Sequence, residues 1–143
     1  MIKGSCLCGK IEYELAEQGQ IINNCHCSQC RKASGAAFGS FLHIRKDYFK
    51  WQKGEEYIQI YNPSSEIFRS FCKVCGSCVP SVFEAYNNVV VPAGTLDDDP
   101  DLKPMVNIFV GSKAPWYSIS DNLPAFEESV SEDFIKKHLM PLE

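Results

Sequence analysis

The sequence predicts a single, mainly β domain over residues 1–143 that is pinned by metal-bound cysteines and ends in one short helix. A chain of 143 residues has the size of one average domain, and 45% of it is hydrophobic, as in ordinary globular proteins. Short stretches in which apolar and polar residues alternate recur along the chain, and this alternation is typical of half-buried strands. Eight cysteines lie in three clusters, which favours metal sites over scattered disulfides.

The predicted strands follow one another from the N-terminus. Ile11, Tyr13 and Leu15 alternate with polar residues directly after Gly9, which indicates a strand with one buried face. His43 falls in an apolar stretch, so we expect it to be a core histidine rather than a ligand. Further strands are predicted at residues 21–22, 36–44, 57–61, 66–71, 89–91 and 106–110.

One helix is predicted near the C-terminus, over residues 130–139. Ser129 and Glu132 have the spacing of a capping box. Three basic residues lie near the end of the segment, where cations interact favourably with the helix dipole. Pro141 follows and cannot continue a helix.

Charge and hydropathy exclude several classes of protein. The net charge of −4 argues against general binding to nucleic acid or to an anionic membrane. The chain has no apolar run of the roughly 18 residues that a membrane span requires. The N-terminal segment MIKGSCLCGK lacks the apolar core of a secretion signal, which predicts a cytoplasmic protein. Thiols stay reduced in that compartment, and this again favours metal binding over disulfides.

The first metal constellation combines two cysteine pairs. Cys6 and Cys8 form one pair, and Cys72 and Cys75 form another, 64 positions further along the chain. Each pair supplies two thiolates from a tight turn, and two such pairs make a tetrahedral zinc site with four thiolate ligands. A closed shell leaves no position for a substrate, so we expect a structural zinc. A thioredoxin-like redox pair at Cys72 and Cys75 is disfavoured, because no βαβ pattern surrounds it.

The second constellation has three cysteines within six residues: Cys25, Cys27 and Cys30. Three protein ligands and one open position are typical of a catalytic zinc. His26 and Cys78 are the alternative fourth ligands, and either of them would close the site. Two closed sites would instead indicate a zinc-stabilised binding module without catalytic activity.

Residues around this cluster are candidates for substrate binding. Arg31 and Lys32 follow the third cysteine and either hold a substrate carboxylate or balance the anionic cluster as solvated residues. Ser34 either presents a hydroxyl near the ion or belongs only to a turn. Phe38 and Trp116 are expected in the core or in a pocket wall.

Five segments of the chain resemble one enzyme family. The cysteine segments are GSCLCGKIEY, CHCSQCRKASGAAF and RSFCKVCGS, at residues 4–13, 25–38 and 69–77. Two later segments, at residues 93–98 and 108–126, read AGTLDD and IFVGSKAPWYSISDNLPAF. In this order they resemble the glutathione-dependent formaldehyde-activating enzyme family.

The resemblance implies a fold, two metals and a reaction. The implied fold is a zinc-pinned β-tent, which this family shares with centromere protein V. The resemblance assigns the structural and the catalytic zinc to the two cysteine sets described above, giving two Zn²⁺ per chain. The implied reaction joins formaldehyde to glutathione, which is a carbon–sulfur lyase reaction when written in reverse. Other small thiols and aldehydes are alternative substrates, and a homo-oligomer is an open alternative to a monomer.

Two residues depart from the family pattern. Asn107 stands before Ile-Phe-Val, where family members often carry histidine, and we expect this change to affect substrate handling. Cys78 follows Gly76-Ser77 and offers an additional thiol near a metal.

Overall fold

Short strands that pair into three sheets make up most of the protein. The computed structural model describes residues 1–16, 19–62 and 68–138. The strands in this part of the chain are β1 (Ile2–Ser5), β2 (Glu12–Leu15), β3 (Ile21–Cys25), β4 (Gly39–Arg45), β5 (Phe49–Lys53), β6 (Ile58–Tyr61), β7 (Arg69–Cys72), β8 (Cys78–Val79), β9 (Ser81–Phe83), β10 (Asn88–Pro92) and β11 (Pro104–Ile108). The α-helices are α1 (Ser28–Ser34) and α2 (Glu132–His138). The predicted mainly β fold with a short C-terminal helix is confirmed.

A five-stranded sheet forms the centre of the molecule, with strand order β11-β3-β4-β10-β9. Its strands pair antiparallel except for β11, which runs parallel to β3. Two three-stranded sheets flank it, one with order β1-β2-β5 and one with order β6-β7-β8. The parallel pair brings a late segment of the chain to the strand that ends at Cys25.

The two faces of the central sheet bury different residues. Leu42 and Ile44 of β4 are fully buried on one face, and β2 packs over that face. Burying a side chain of this size contributes roughly 1.5–3 kcal/mol. The largest core cluster is Tyr13, Leu15, Ile22, Leu42, Ile44, Val89 and Val91. The intervening residues Phe41 and His43 point to the opposite face, because side chains alternate along a strand.

Two smaller clusters attach the remaining elements. Ile11 and Val79 are buried with Cys6 and Cys72, so the N-terminal turn packs against the β6-β7-β8 sheet. Phe134 of α2 packs on Ile21 and Val106, which fixes this helix against the β3–β11 pair.

The helices differ in part from the sequence prediction. The helix α1 was not predicted, because its seven residues show no apolar periodicity. It begins after Cys27, whose Sγ accepts from the backbone N–H of Cys30, and it ends at Gly35 in the left-handed conformation. In α2 the Oγ of Ser131 accepts from the backbone N–H of Phe134 at 3.1 Å. Ser131 therefore takes the capping role that the sequence assigned to Ser129.

Strand boundaries also shift. The strand predicted at residues 36–44 is Gly39–Arg45, since the residues before it join α1 to the sheet. The strand predicted at 106–110 ends at Ile108, because Phe109 adopts a left-handed conformation with φ 56°. The prediction at 66–71 corresponds to Arg69–Cys72, and its first two residues lie outside the described part, as do residues 139–143. None of the helices in the described ranges is long and apolar enough to cross a membrane.

Candidate functional site

Four cysteines converge where the N-terminal turn meets the turn after β7. The Sγ atoms of Cys6, Cys8, Cys72 and Cys75 all lie within 4.8 Å of one another. The Cys6–Cys8 and Cys8–Cys72 separations are 3.6 and 3.8 Å. Ligands at a Zn–S distance of about 2.3 Å around a tetrahedral ion lie about 3.8 Å apart. The donor atoms therefore fit a zinc ion with four thiolate ligands.

The two turns that carry these cysteines are built alike. Each pair is followed by a glycine with φ 78°, Gly9 after the first pair and Gly76 after the second. The backbone N–H of each glycine donates back to the carbonyl of the first cysteine of its pair, at 3.0 and 2.7 Å. The backbone N–H of Leu7 also donates to the Oγ of Ser77 at 2.9 Å, which joins the two turns directly.

Three further cysteines meet at the junction of β3 and α1. Cys25 ends β3, Cys27 precedes α1, and Cys30 lies in its first turn; their Sγ atoms lie within 4.8 Å of one another. Cys25 and Cys30 are buried and Cys27 is half-buried. Among the described residues, no fourth Cys, His, Asp or Glu belongs to this group. Thiolate donors suit zinc, and a three-ligand set leaves one position for a substrate.

Neither alternative fourth ligand belongs to the three-cysteine group, although Cys78 lines the region next to it. His26 is fully buried, and its Nε2 lies 2.9 Å from the Oδ1 of Asn107. The Nδ2 of Asn107 donates to both carboxylate oxygens of Asp121 at 3.1 Å, so its Oδ1 faces the imidazole. His26 therefore donates from Nε2. The Sγ of Cys78 lies 3.8 Å from the carbonyl oxygen of Ala33 in α1 and is outside the three-cysteine group.

A guanidinium lies beside the three-cysteine group. The Nη2 of Arg69 donates to the Sγ of Cys30 at 3.4 Å. The hydrogen bond from the Cys25 thiol, together with the Arg69 charge, lowers the pKa of Cys30 to about 5. The same bond raises the pKa of Cys25. The sequence analysis missed Arg69 as a site residue, because only the packing of β7 against α1 brings position 69 next to position 30.

A cleft of about 680 Å³ adjoins this group. The exposed face of the central sheet forms its floor, and α1 and the β7–β8 pair form its walls. Cys25 and Cys30 line it, so two of the three thiols face the cleft. Polar and apolar side chains share the rest of the lining, and the larger apolar ones are Phe38, Phe41, Phe68, Phe83, Val90 and Ile108.

The five predicted substrate residues fall into two groups. Ser34 and Phe38 line the cleft. The Ser34 hydroxyl donates to the carbonyl oxygen of Cys30 at 2.8 Å, and the Phe38 ring lies 4.9 Å from the His26 ring. Arg31, Lys32 and Trp116 are not among the lining residues, and Trp116 is 72% exposed.

His43 also lines the cleft, on β4, the strand next to the one that ends at Cys25. Desolvation lowers its pKa to about 4, so the imidazole is neutral at pH 7. The Nδ2 of Asn88 donates to its Nδ1 at 3.3 Å. His43 is thus a half-buried neutral histidine with a hydrogen-bond partner.

Comparisons with known proteins found one family model and several named relatives. The sequence model of the family described as "Glutathione-dependent formaldehyde-activating enzyme" matches residues 1–112. Relatives include proteins named "Putative glutathione-dependent formaldehyde-activating enzyme" from Colletotrichum graminicola, 33% identical over 73 residues, and Aspergillus flavus, 30% identical over 74 residues. The matched segments cover 50% of this chain but only 38% and 39% of these relatives.

A solved structure shares the fold. The crystal structure of a Rhodobacter sphaeroides protein superposes with a TM-score of 0.57 at 22% sequence identity. The match covers 68% of this chain and 89% of the other.

Proposed function

Because this chain belongs to the glutathione-dependent formaldehyde-activating enzyme family, we propose that it is a zinc-dependent enzyme that adds a small thiol to an aldehyde. Glutathione and formaldehyde are the first pair to test, and another small thiol or aldehyde is the alternative. In the reverse direction the reaction is that of a carbon–sulfur lyase. The proposal includes two zinc ions per chain, one structural and one catalytic.

The observation that carries the proposal is that the three-cysteine group opens onto a cleft. Cys25 and Cys30 are members of the group and also line the cleft. A ligand in the cleft can therefore reach the coordination position that the three thiols leave free. The four-cysteine group has no such vacancy, and its ligands come from two distant turns. This contrast supports a catalytic role for the first group and a structural role for the second.

Zinc at Cys25, Cys27 and Cys30 would supply a Lewis-acid position at which a thiol is held as thiolate. Three thiolates make that position a weaker acid than three imidazoles would, which favours orientation of the substrates over activation of water. Arg69 places a positive charge at Cys30 and offsets part of the negative charge of the cluster. Aromatic side chains, among them Phe38 and Phe68, line the cleft beside the cluster and offer apolar contacts to a substrate.

A reducing, cytoplasmic setting is part of the proposal. All eight cysteines are free thiols, and seven of them belong to the two groups that could hold a metal ion. An oxidising compartment would compete for these thiols by forming disulfides.

The test measures zinc per chain and thiol–aldehyde exchange in the same preparation. We expect two zinc ions in protein purified under reducing conditions, and enzyme-dependent exchange between glutathione and formaldehyde in NMR spectra. Cys27→Ser should lose one ion and the exchange while keeping the native circular dichroism spectrum. Cys78→Ser is the matched control for metal content and should keep both ions.

Each outcome separates the proposal from its rival. Two bound ions without exchange for any small thiol and aldehyde would favour a zinc-stabilised binding module. Unchanged turnover in Cys27→Ser would show that the three-cysteine group is not the catalytic site.

A further inference from the structure

The size of the cleft exceeds the needs of a one-carbon aldehyde. A volume of about 680 Å³ falls within the range of pockets that enclose whole small organic ligands. If the aldehyde reacts at the three-cysteine end, the body of the thiol substrate has to occupy the rest of the cleft. The side chains along the cleft then specify which thiols fit.

The positive charge in the cleft comes from one residue. Among the described residues that line the cleft, Arg69 is the one cation at pH 7, because no lysine is present and His43 is neutral, and no carboxylate lines the cleft. Its Nη2 donates to Cys30, and a guanidinium has five N–H donors in a planar fork. The remaining donors suit a carboxylate, which arginine binds bidentately.

One part of the cleft wall is aromatic. The rings of Phe68 and Phe83 lie 4.5 Å apart between centroids at an interplanar angle of 32°, and Phe41 and Val90 contribute to the floor. Among the described lining residues, Arg69 is the only cation beside it and no carboxylate is present. The wall favours an apolar or aromatic group and disfavours a second charge.

The floor also presents an acceptor without a partner. Asn23 lines the cleft two residues before Cys25 and is 7% exposed. Its Oδ1 is buried and has no hydrogen-bond partner among the described residues. Buried acceptors are nearly always paired in native proteins, so this atom calls for an N–H or O–H from a ligand or a water molecule.

We propose that the thiol substrate carries one carboxylate for Arg69, an N–H or O–H donor for Asn23, and an apolar or aromatic body for the Phe68–Phe83 wall. An N-acylated amino-acid thiol with an apolar substituent has this chemistry. This inference rests on the proposed function for the presence of the thiol, whereas the three binding contacts are independent of catalysis.

The test uses ligands without a thiol, so binding is measured apart from chemistry. Zinc-loaded protein is titrated with N-acetylphenylalanine, its neutral carboxamide, its N-methylated form and N-acetylglycine, with affinity measured by calorimetry. We expect the carboxamide to bind about tenfold more weakly. The N-methylated form and N-acetylglycine should each bind several-fold more weakly. Equal affinities for the acid and the carboxamide, or for the phenylalanine and glycine compounds, would overturn the proposal.

Two arginine variants test whether Arg69 binds the carboxylate of the ligand. Arg69→Gln should remove the preference for the acid over the carboxamide. Arg45→Gln is the matched control, because Arg45 lies on the central sheet outside the cleft lining and pairs with Asp47. It should keep the preference. A preference that survives in Arg69→Gln contradicts the role of Arg69.

The two proposals fail in different ways. Binding with the expected preferences but without any thiol–aldehyde exchange would contradict the proposed enzymatic function and still support the proposed class of ligand. Exchange with glutathione and formaldehyde, together with equal affinities for the four compounds, would remove only this inference.

Discussion

The Nε2 atom of His26 lies 2.9 Å from the Oδ1 of Asn107, which is 81 positions away in the chain. His26 stands between two cysteines of the three-cysteine group, and Asn107 belongs to β11. Asp121 extends the contact by accepting two hydrogen bonds from Asn107. A backbone hydrogen bond joins the same two segments, since the N–H of His26 donates to the carbonyl of Ile108 at 2.9 Å. The late part of the chain thereby positions the loop that presents Cys25 and Cys27.

Asn107→Ala should destabilise the protein by about 1–3 kcal/mol, because it leaves the N–H of a fully buried imidazole without an acceptor. The free energy of unfolding from urea titration measures the effect. A decrease in the free energy of unfolding of less than about 0.5 kcal/mol would show that the His26–Asn107 hydrogen bond contributes little to stability. Asn107 is not among the cleft-lining residues, so it acts on the cysteine loop rather than on the cleft.

Cys72→Ser should destabilise the whole fold. Cys72 is fully buried, and its thiol belongs to the group that joins the N-terminal turn to β7. A broken four-thiolate shell releases a metal that contributes folding free energy. We expect a loss of at least about 3 kcal/mol, or roughly 10 °C in Tm. Cys78→Ser is the control in thermal unfolding, and native stability in Cys72→Ser would exclude a structural metal at this group.

His43 should make stability depend on pH. Its pKa is lowered to about 4 in the folded protein from an ordinary value near 6.5, because desolvation disfavours the charged imidazole. The unfolded chain therefore binds more protons between these values, and stability falls as the pH drops from 6.5 to about 4. The loss should approach about 3 kcal/mol at the acidic end.

The difference in urea unfolding between wild type and His43→Gln isolates this contribution, since acid-induced metal release affects both proteins alike. The difference should change across that pH window and level off below about pH 4. A pH-independent difference would show that His43 is equally easy to protonate in the folded and unfolded chains.

Gly54→Ala should be strongly destabilising, by more than about 2 kcal/mol. Gly54 has φ 88°, a conformation that side chains disfavour, and an added Cβ would lie 2.0 Å from the carbonyl oxygen of Lys10. Gly94→Ala is the matched control, because an added Cβ there meets no atom within 4 Å. Chemical denaturation of both variants makes the comparison, and equal stabilities would show that the turn at Gly54 relaxes without cost.

Local sequence patterns predicted much of the fold. Alternation identified the strand at Tyr13, and an apolar run of three valines identified the strand at 89–91; both strands contribute to the core. The spacing of the cysteines also predicted which of them share a group. Both signals depend on residues only a few positions apart or on recognisable motifs.

The parts that escaped prediction depend on distant contacts. No local signal pairs β11 in parallel with β3, and none places Arg69 beside Cys30. The partner of His26 was equally hidden, because Asn107 is polar and yet only 1% exposed. Trp116 shows the opposite case, since its large ring suggested burial but the loop that carries it leaves it exposed.

The two cysteine groups also differ in how much chain lies between their donors. Cys25, Cys27 and Cys30 are neighbours, so their thiols can capture an ion while most of the polypeptide is still unstructured. Cys8 and Cys72 are separated by 64 positions, and closing such a loop carries an entropic cost that the rest of the fold has to offset first. The three-cysteine group therefore needs less of the fold in place before it can bind an ion than the four-cysteine group does.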